Sequence, residues 1–536
     1  MRKKSNVRDP NAPFKHADHP RPSTRRQFLG QGFLTGAAAV VAPTLAGLLA
    51  YPKAARAALS GDMPVAGCGI TNGAGKVPFI VFDLAGGANI AGSNVLVGGP
   101  KGQMDFLSVA GYSKLGLPGT MVPNASATGS NVDSTFGLRY HIDSAHLRGI
   151  KTRVKTASAM ANTTGTVVPA LSQNDTNTNP HNPMYAIWQY GARGGLLDLI
   201  GSQASLSGGN SMSPMTMMIA KAAPVKISSS SDTKGLVDTG QLSTLLPLPS
   251  DVTAVMESMK RISDAKYAQV SAYPGNATAN TAALGATGTA ACAYTKAAYV
   301  VDTYGNPASV NPDVDTNIVG PTGIFTQAEY SANGSFRTTA AVMKLVIDGN
   351  AAAGTVELGG YDYHSGNRSD GEAKDLNAGN CIGACLEYAA RVGKPVMIYV
   401  ISDGSLASSG MIDSSAGGRG KGVWTADNQN TAAVYWLIYD PKGKATPAQS
   451  DPEKSLQLGF FNADGGLNTA ASPAGNNVFN LAQMVVLNYM ALHGEQAMFP
   501  TLYPAPNLNN TLGSGAALDA LIAYGKLPSI TNGKIA

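Results

Sequence analysis

Asp362 and His364 stand two residues apart in the run Gly359-Gly360-Tyr361-Asp362-Tyr363-His364. On an extended segment that spacing points both side chains the same way, as a shared divalent cation requires. Other oxygen donors sit in or just after apolar runs. Asp83 lies inside Phe79-Ile80-Val81-Phe82-Asp83-Leu84, and Asn89 and Ser93 come just past the Ala85-Gly86-Gly87 turn. Asp403 follows Ser402 at the end of a second run, and Asp427 and Asn428 end the segment Thr425-Ala426-Asp427-Asn428. Carboxylates and an imidazole gathered there would hold one or two divalent cations, polarise a phosphoryl or sulfuryl oxygen and activate a water or hydroxyl nucleophile.

These residues need a scaffold that brings chain-distant strand ends together. Val77–Leu84, Ala353–Leu358, Pro395–Ile401 and Ala432–Tyr439 read as strands, continuous apolar runs bounded by turn residues. Helical patterns cover 183–202, 250–270, 337–347, 375–392 and 480–492. The alternation predicts an α/β fold, a mainly parallel sheet with helices on both faces. In such open sheets ligands bind outside the carboxyl ends of the strands, where the residues above fall. Gly-, Ser- and Asn-rich stretches at 92–135 and 157–180 read as long surface loops around a few short elements, and about 203–325 as an insertion or cap. The run Ser172 to Met184, with Asp175 and His181, is either a donor-rich loop reaching over the strand ends or a polar helix entry in which Asn and Asp cap the backbone.

At 536 residues there is ample chain for a large buried core, and charged residues are only 14% of it, against roughly 25% in an average globular chain. The formal charge of +5 is unevenly placed: residues 1–57 carry ten Lys/Arg and two Asp/Glu, which leaves the remainder at −3. Nothing in that remainder reads as a nucleic-acid footprint. The amino-terminal stretch resembles a twin-arginine (Tat) signal, with Arg25-Arg26-Gln27-Phe28-Leu29, a Gly- and Ala-rich apolar run from Phe33 to Ala50, and Ala55-Arg56-Ala57 as a small-x-small cleavage site. It implies export of the folded protein by the Tat translocase to the periplasm or beyond, with 1–57 the signal, 58–76 a linker, 77–500 the α/β domain and 501–536 a C-terminal tail. No later run is long and apolar enough to span a bilayer; Leu481–Leu492 is too short and contains Gln483 and Asn488. The four cysteines form no CxxC pair, and Cys381 and Cys385, four apart in an expected helix, read as buried thiols.

The order of these features resembles a Tat-exported bacterial family of uncharacterised function in the alkaline-phosphatase/sulfatase superfamily. They are the twin-arginine signal, a strand ending in Gly-Gly, Gly-Gly-Tyr-Asp-x-His, a strand ending in Ser-Asp and a downstream Thr-x-Asp. Members are sometimes labelled general secretion pathway proteins. The resemblance implies an alkaline-phosphatase-like fold over 77–500 and a metal site on Asp362, His364, Asp403 and Asp427. Ser93 or a bound water would attack the ester, and Asp427 would complete the coordination sphere or act as base. The chain departs from the pattern at Asn89 for Asp, at Gly404 for His after Asp403, and at Asn428 for His. With those ligands weakened, a single calcium or magnesium ion on oxygen donors fits better than a full two-zinc site. No sulfatase Cys-x-Pro-x-Arg motif or its serine form is present.

Two functions follow as expectations. One is an exported metal-dependent hydrolase of phosphate or sulfate esters, and the other a non-catalytic secreted or envelope protein that kept the fold and binds a protein or glycan partner. Asp83, unusual within an apolar strand, is either paired or functional. His141, His146 and His493 read as structural, and Trp424, Tyr435 and Trp436 as core or rim aromatics.

Overall fold

The computed structural model describes residues 73–123, 131–172, 179, 181–238, 245–246, 248–271, 295–304, 307–503 and 511–536. The signal-like residues Arg25, Arg26, Ala55 and Ala57 lie outside them, as do Cys68 and Cys292.

Seven strands build the central sheet: β1 (Phe79–Leu84), β2 (Thr163–Pro169), β3 (Leu197–Gly201), β4 (Val225–Lys226), β5 (Ala351–Leu358), β6 (Val396–Ser402) and, after a hairpin of β7 (Leu406–Asp413) with β8 (Lys421–Asp427), β9 (Ala433–Tyr439). Their spatial order is β2-β9-β6-β1-β5-β3-β4. β1 pairs in parallel with β5 and with β6, and β3 in parallel with β5 and with β4. Only β9 runs against its neighbours β6 and β2. The α/β reading with a mainly parallel sheet therefore holds.

Alternation along β1 sorts the core. Ile80, Phe82 and Leu84 face one layer, with α4 (Gly334–Ile347) and α5 (Arg368–Val392), while Phe79 and Val81 face the other, with α2 (Met184–Gln189) and α6 (Val478–Leu492). Strands covered on both faces must be apolar throughout, and β1, β6 and β9 are buried at every position. Leu521, Ile522, Tyr524 and Leu527 near the carboxyl end add to the second layer. The helix near 250–270 is α3 (Pro249–Ser271).

Two expectations change. The predicted helix over 183–202 divides into α2 and strand β3, because Gly191, at φ +115°, ends the helix and Leu199 and Ile200 pair with β5 instead. The predicted loop at 157–180 contains β2, whose Thr164, Thr166, Val167 and Val168 pair across β9. It lies on the sheet edge, and Tyr524 Oη donates to the carbonyl of its Gly165 at 2.8 Å.

Helix α1 (Ala145–Arg153) crosses α5 at backbone contact. A Cβ on Gly149 would fall 2.5 Å from Asn380 N, one on Gly383 2.7 Å from Ile150 Cα, and one on Gly379 would overlap the His146 carbonyl. Replacing Gly379 with Ala gains about 1 kcal/mol of helix propensity, but the obstacle is backbone that cannot swing aside. Gly379→Ala should therefore cost a net ~1–3 kcal/mol in urea unfolding; a variant as stable as the parent would show that the helices can part freely.

Candidate metal centre

The carboxyl ends of β1, β5 and β6 are stitched together beyond the sheet. Ala85 N donates to Leu358 O at 3.0 Å and Tyr361 N to Ala85 O at 2.9 Å, so the β1–β5 ladder runs on into both loops. The Gly86-Gly87 turn has φ of +114° and +101°, a conformation open to glycine. A Cβ on Gly86 would lie 3.0 Å from Asp362 N, so the absence of one also admits the loop after β5.

Along that loop the side chains alternate as on a strand. Tyr361 and Tyr363 turn inward and are buried, while Asp362 and His364 turn outward. His364 Nε2 lies 2.6 Å from Asp362 Oδ1 and 4.0 Å from Asp427 Oδ2. The three side chains are 38–57% exposed. Asp427 reaches them because β8 ends at this edge and the reversed strand β9 starts from it. Asn428 N donates to Ser405 O at 2.8 Å, which fixes that junction.

Buried charges tie the two ligand-bearing segments together. Gly366 N donates to Trp424 O at 2.9 Å, and the Arg368 guanidinium stacks 4.6 Å from the Trp424 ring. Glu372 Oε1 accepts from Arg368 at 2.7 Å and from Lys421 at 2.8 Å, which joins the first turns of α5 to β8. These cations hold the Glu372 carboxyl below its usual range against the opposing effect of burial.

Asp362, His364 and Asp427 thus form a group able to hold a metal ion, one ligand atom from each lying within 4.8 Å of the others. Around an ion bonded at about 2.1 Å, ligand atoms stand roughly 3.0–3.4 Å apart. The observed 2.6 and 4.0 Å bracket that spacing.

The other expected site residues go elsewhere. Asp403 is buried, its Oδ1 accepting from Gly86 N at 2.7 Å and its Oδ2 from Asn210 Nδ2 at 2.6 Å. It braces the β1 turn and is not among the three grouped ligands. Ser93, the expected nucleophile, is fully buried, its hydroxyl donating to Asn89 Oδ1 at 2.9 Å; the loop folds back under the strand ends and takes it out of solvent. Asn89 is itself buried, with Nδ2 left unpartnered. Asn428 caps the next turn by accepting from Asn430 N at 3.0 Å. His181 is buried, and burial pulls its pKa down to about 4 against the opposing effect of the Ser402 backbone. Of the Ser172–Met184 segment, Asn179 reaches the strand ends, its Nδ2 donating to Asp403 O at 2.8 Å, while Asn182 Oδ1 accepts from Met184 N at α2; Asp175 lies outside the described residues.

Asp83 proves to be paired: Ser211 donates to it from its amide at 2.6 Å and from its hydroxyl at 2.8 Å. His141, His146 and His493 are buried structural groups, and Trp424, Tyr435 and Trp436 are core aromatics. Cys381 and Cys385 are buried free thiols.

Sequence reasoning overlooked Tyr363 and Asp375, which lie behind the site. The available signal was the alternation itself, since outward Asp362 and His364 require an inward Tyr363. No family model, no curated protein and no solved structure matches this chain.

Burial, with Asp403 and Glu357 nearby, pushes the Asp83 pKa up to about 7 from 3.8. The folded state therefore holds a proton that the unfolded chain has released, and stability present below pH ~4 is lost as pH rises through about 7. Asn at this position keeps an acceptor for the Ser211 amide and can donate to its hydroxyl. Asp83→Asn should match the parent in urea unfolding near pH 4 and exceed it at pH 8 by on the order of a few kcal/mol. The buried histidines, which act oppositely, cancel in that comparison. Equal pH slopes for the two proteins would show that the buried carboxyl does not titrate in this range.

Proposed function

We propose that this chain is an exported, metal-dependent hydrolase of phosphate or sulfate esters, alkaline-phosphatase-like in its sheet and in the location of its site. The observation that carries the reading is the half-exposed Asp362–His364–Asp427 group at the carboxyl edge of a mainly parallel sheet. Three protein ligands with solvent on the open side is the arrangement of a catalytic ion, whereas structural ions are closed in by four. An imidazole in the set favours zinc or manganese over calcium or magnesium.

A cation bound there supplies Lewis-acid polarisation of an ester oxygen and a water of lowered pKa. Asp362 and Asp427 provide the compensating negative charge, and His364 orients between them. Ser93, shut inside and bonded to Asn89, takes no part in this scheme, so the nucleophile is water. The twin-arginine motif at Arg25-Arg26 supports export by the Tat translocase to the periplasm or the medium. None of the described helices is long and apolar enough to cross a membrane.

A specific observation favours a second reading, a non-catalytic secreted or envelope protein that kept the fold and docks a protein or glycan. Asp403 and Ser93, which the resemblance would make ligand and nucleophile, are both committed to holding the fold.

Elemental analysis of the purified full chain should find about one equivalent of zinc or manganese, absent from the Asp362→Ala plus His364→Ala variant. With nitrophenyl phosphate and nitrophenyl sulfate as probes, turnover should vanish with the metal and survive Ser93→Ala within about twofold. Metal without turnover selects the second reading. A parent free of metal overturns the hydrolase and leaves the non-catalytic protein, and turnover abolished by Ser93→Ala with metal retained would return the nucleophile to Ser93.

A further inference from the structure

Tyr363 stands between two of the grouped ligands and points the opposite way. Its hydroxyl donates to Asp375 Oδ1 at 3.1 Å and accepts from Asn89 N at 3.2 Å. The other oxygen of Asp375 accepts from Asn94 Nδ2 at 2.7 Å. Asn94 is itself locked, donating also to Asn89 O at 2.9 Å and accepting from Ser144 Oγ and His146 N, each at 3.1 Å. The phenol thus ends in a buried frame drawn from the β1 loop, the start of α1, and α5.

The seat for the ring is also built. Gly371 of α5 lies against it, and a Cβ there would come within 2.8 Å of Tyr363 Cε2. Tyr361 makes a parallel tie, its hydroxyl donating to Lys374 O at 2.8 Å. The loop held in this way is flanked by Gly360 at φ +81° and Gly366 at φ +86°, residues that by themselves leave a backbone loose. On an extended segment the direction of one side chain fixes that of its neighbours. Pinning Tyr363 inward therefore sets the outward aim of Asp362 and His364.

We infer that Asp375 is a positioning residue for the Asp362–His364–Asp427 site, acting through the Tyr363 phenol to hold the two loop ligands in register with Asp427. The inference rests on the metal-site reading above. Asp375 is wholly buried, and burial pushes its pKa up to about 7 from 3.8, yet each of its oxygens faces a different donor. Its use here fits an acceptor that must take two donors, one on each oxygen, and so fix the phenol against the β1 loop.

The test uses Co²⁺ as probe on the full chain. Affinity comes from competition with a chromogenic chelator, geometry from the visible spectrum of the bound ion, and folding from the thermal midpoint. Tyr363→Phe and Asp375→Asn should each weaken Co²⁺ binding about ten- to hundredfold and alter its spectrum while the protein remains folded. Tyr489→Phe is the control. It deletes an equally buried phenol bond, to Val77 O at 2.6 Å in the opposite layer, and should lower the midpoint without moving affinity or spectrum. Should Asp375→Asn fail to fold, Tyr363→Phe decides, because it removes one oxygen and leaves the ring packing. Unchanged affinity and spectrum in a folded Tyr363→Phe, with a parent that binds Co²⁺, overturn the positioning role alone. A parent that binds no Co²⁺ overturns the metal site itself.

Discussion

The Gly86 amide and the Asp403 carboxylate share one 2.7 Å hydrogen bond, and much of the strand-end architecture depends on it. It closes the β1 turn over the end of β6, and the Gly-Gly backbone then leaves a channel that only a chain without a side chain in the way can enter. The loop after β5 occupies that channel with Asp362 N against Gly86. Around Gly87 there is more room, since a Cβ there would lie 3.6 Å from Gly404 Cα, an ordinary contact distance. A bulky residue at Gly86 would push apart segments nearly 280 residues distant in the chain, and with them Asp362 and His364.

With only 14% charged residues, the chain nonetheless buries several of them at the joint between α5, β8 and α1. Arg368, Glu372 and Lys421 are almost wholly enclosed, and Asp143 joins them through Lys421 and through Arg148 of α1. Desolvating such groups offsets much of their mutual attraction, so the cluster adds little net stability. Its geometry is more specific than an apolar contact: a guanidinium over Trp424 and two cations on one carboxylate oxygen admit few alternative registers of α5 against β8. One consequence is that His364 and Asp427, on unconnected segments, meet at a defined separation.

What the sequence revealed and what it hid follow from the range of the interactions. The i, i+2 relation of Asp362 and His364 is local, and both side chains share a face as the spacing requires. The apolar runs of β1, β5, β6 and β9 are likewise local, and all four are strands. The reversal of β9 is a pairing choice made by distant partners, and no periodicity records it. The helix expected over 183–202 failed where local signals conflicted: Leu196, Leu197 and Ile200 suit a helical period, but Gly191 and the Gly194-Gly195 pair break it. The β-branched run Thr163 to Val168 was a strand signal obscured by its polar surroundings. The fates of Ser93 and Asp403 were illegible, since a hydroxyl or carboxylate at a strand end has the same spacing whether it faces solvent or closes a turn.

Asp403 shows how a carboxylate at a strand end can serve the fold rather than a site. A carboxylate that accepts from Gly86 N and Asn210 Nδ2 has both oxygens engaged in neutral hydrogen bonds, and recruiting it to a cation would mean opening the turn it braces. The residue after it is Gly404, and the residue after Asp427 is Asn428, a backbone cap, so neither following position adds an imidazole. The donors that remain stand on the outer side of the same edge, where solvent lowers the cost of holding two carboxylates close together. Exposure also means that water competes for the ion. Affinity in such a site depends on how little the ligands move on binding, and hence on the Tyr361 and Tyr363 phenols that fasten the loop to α5 from inside.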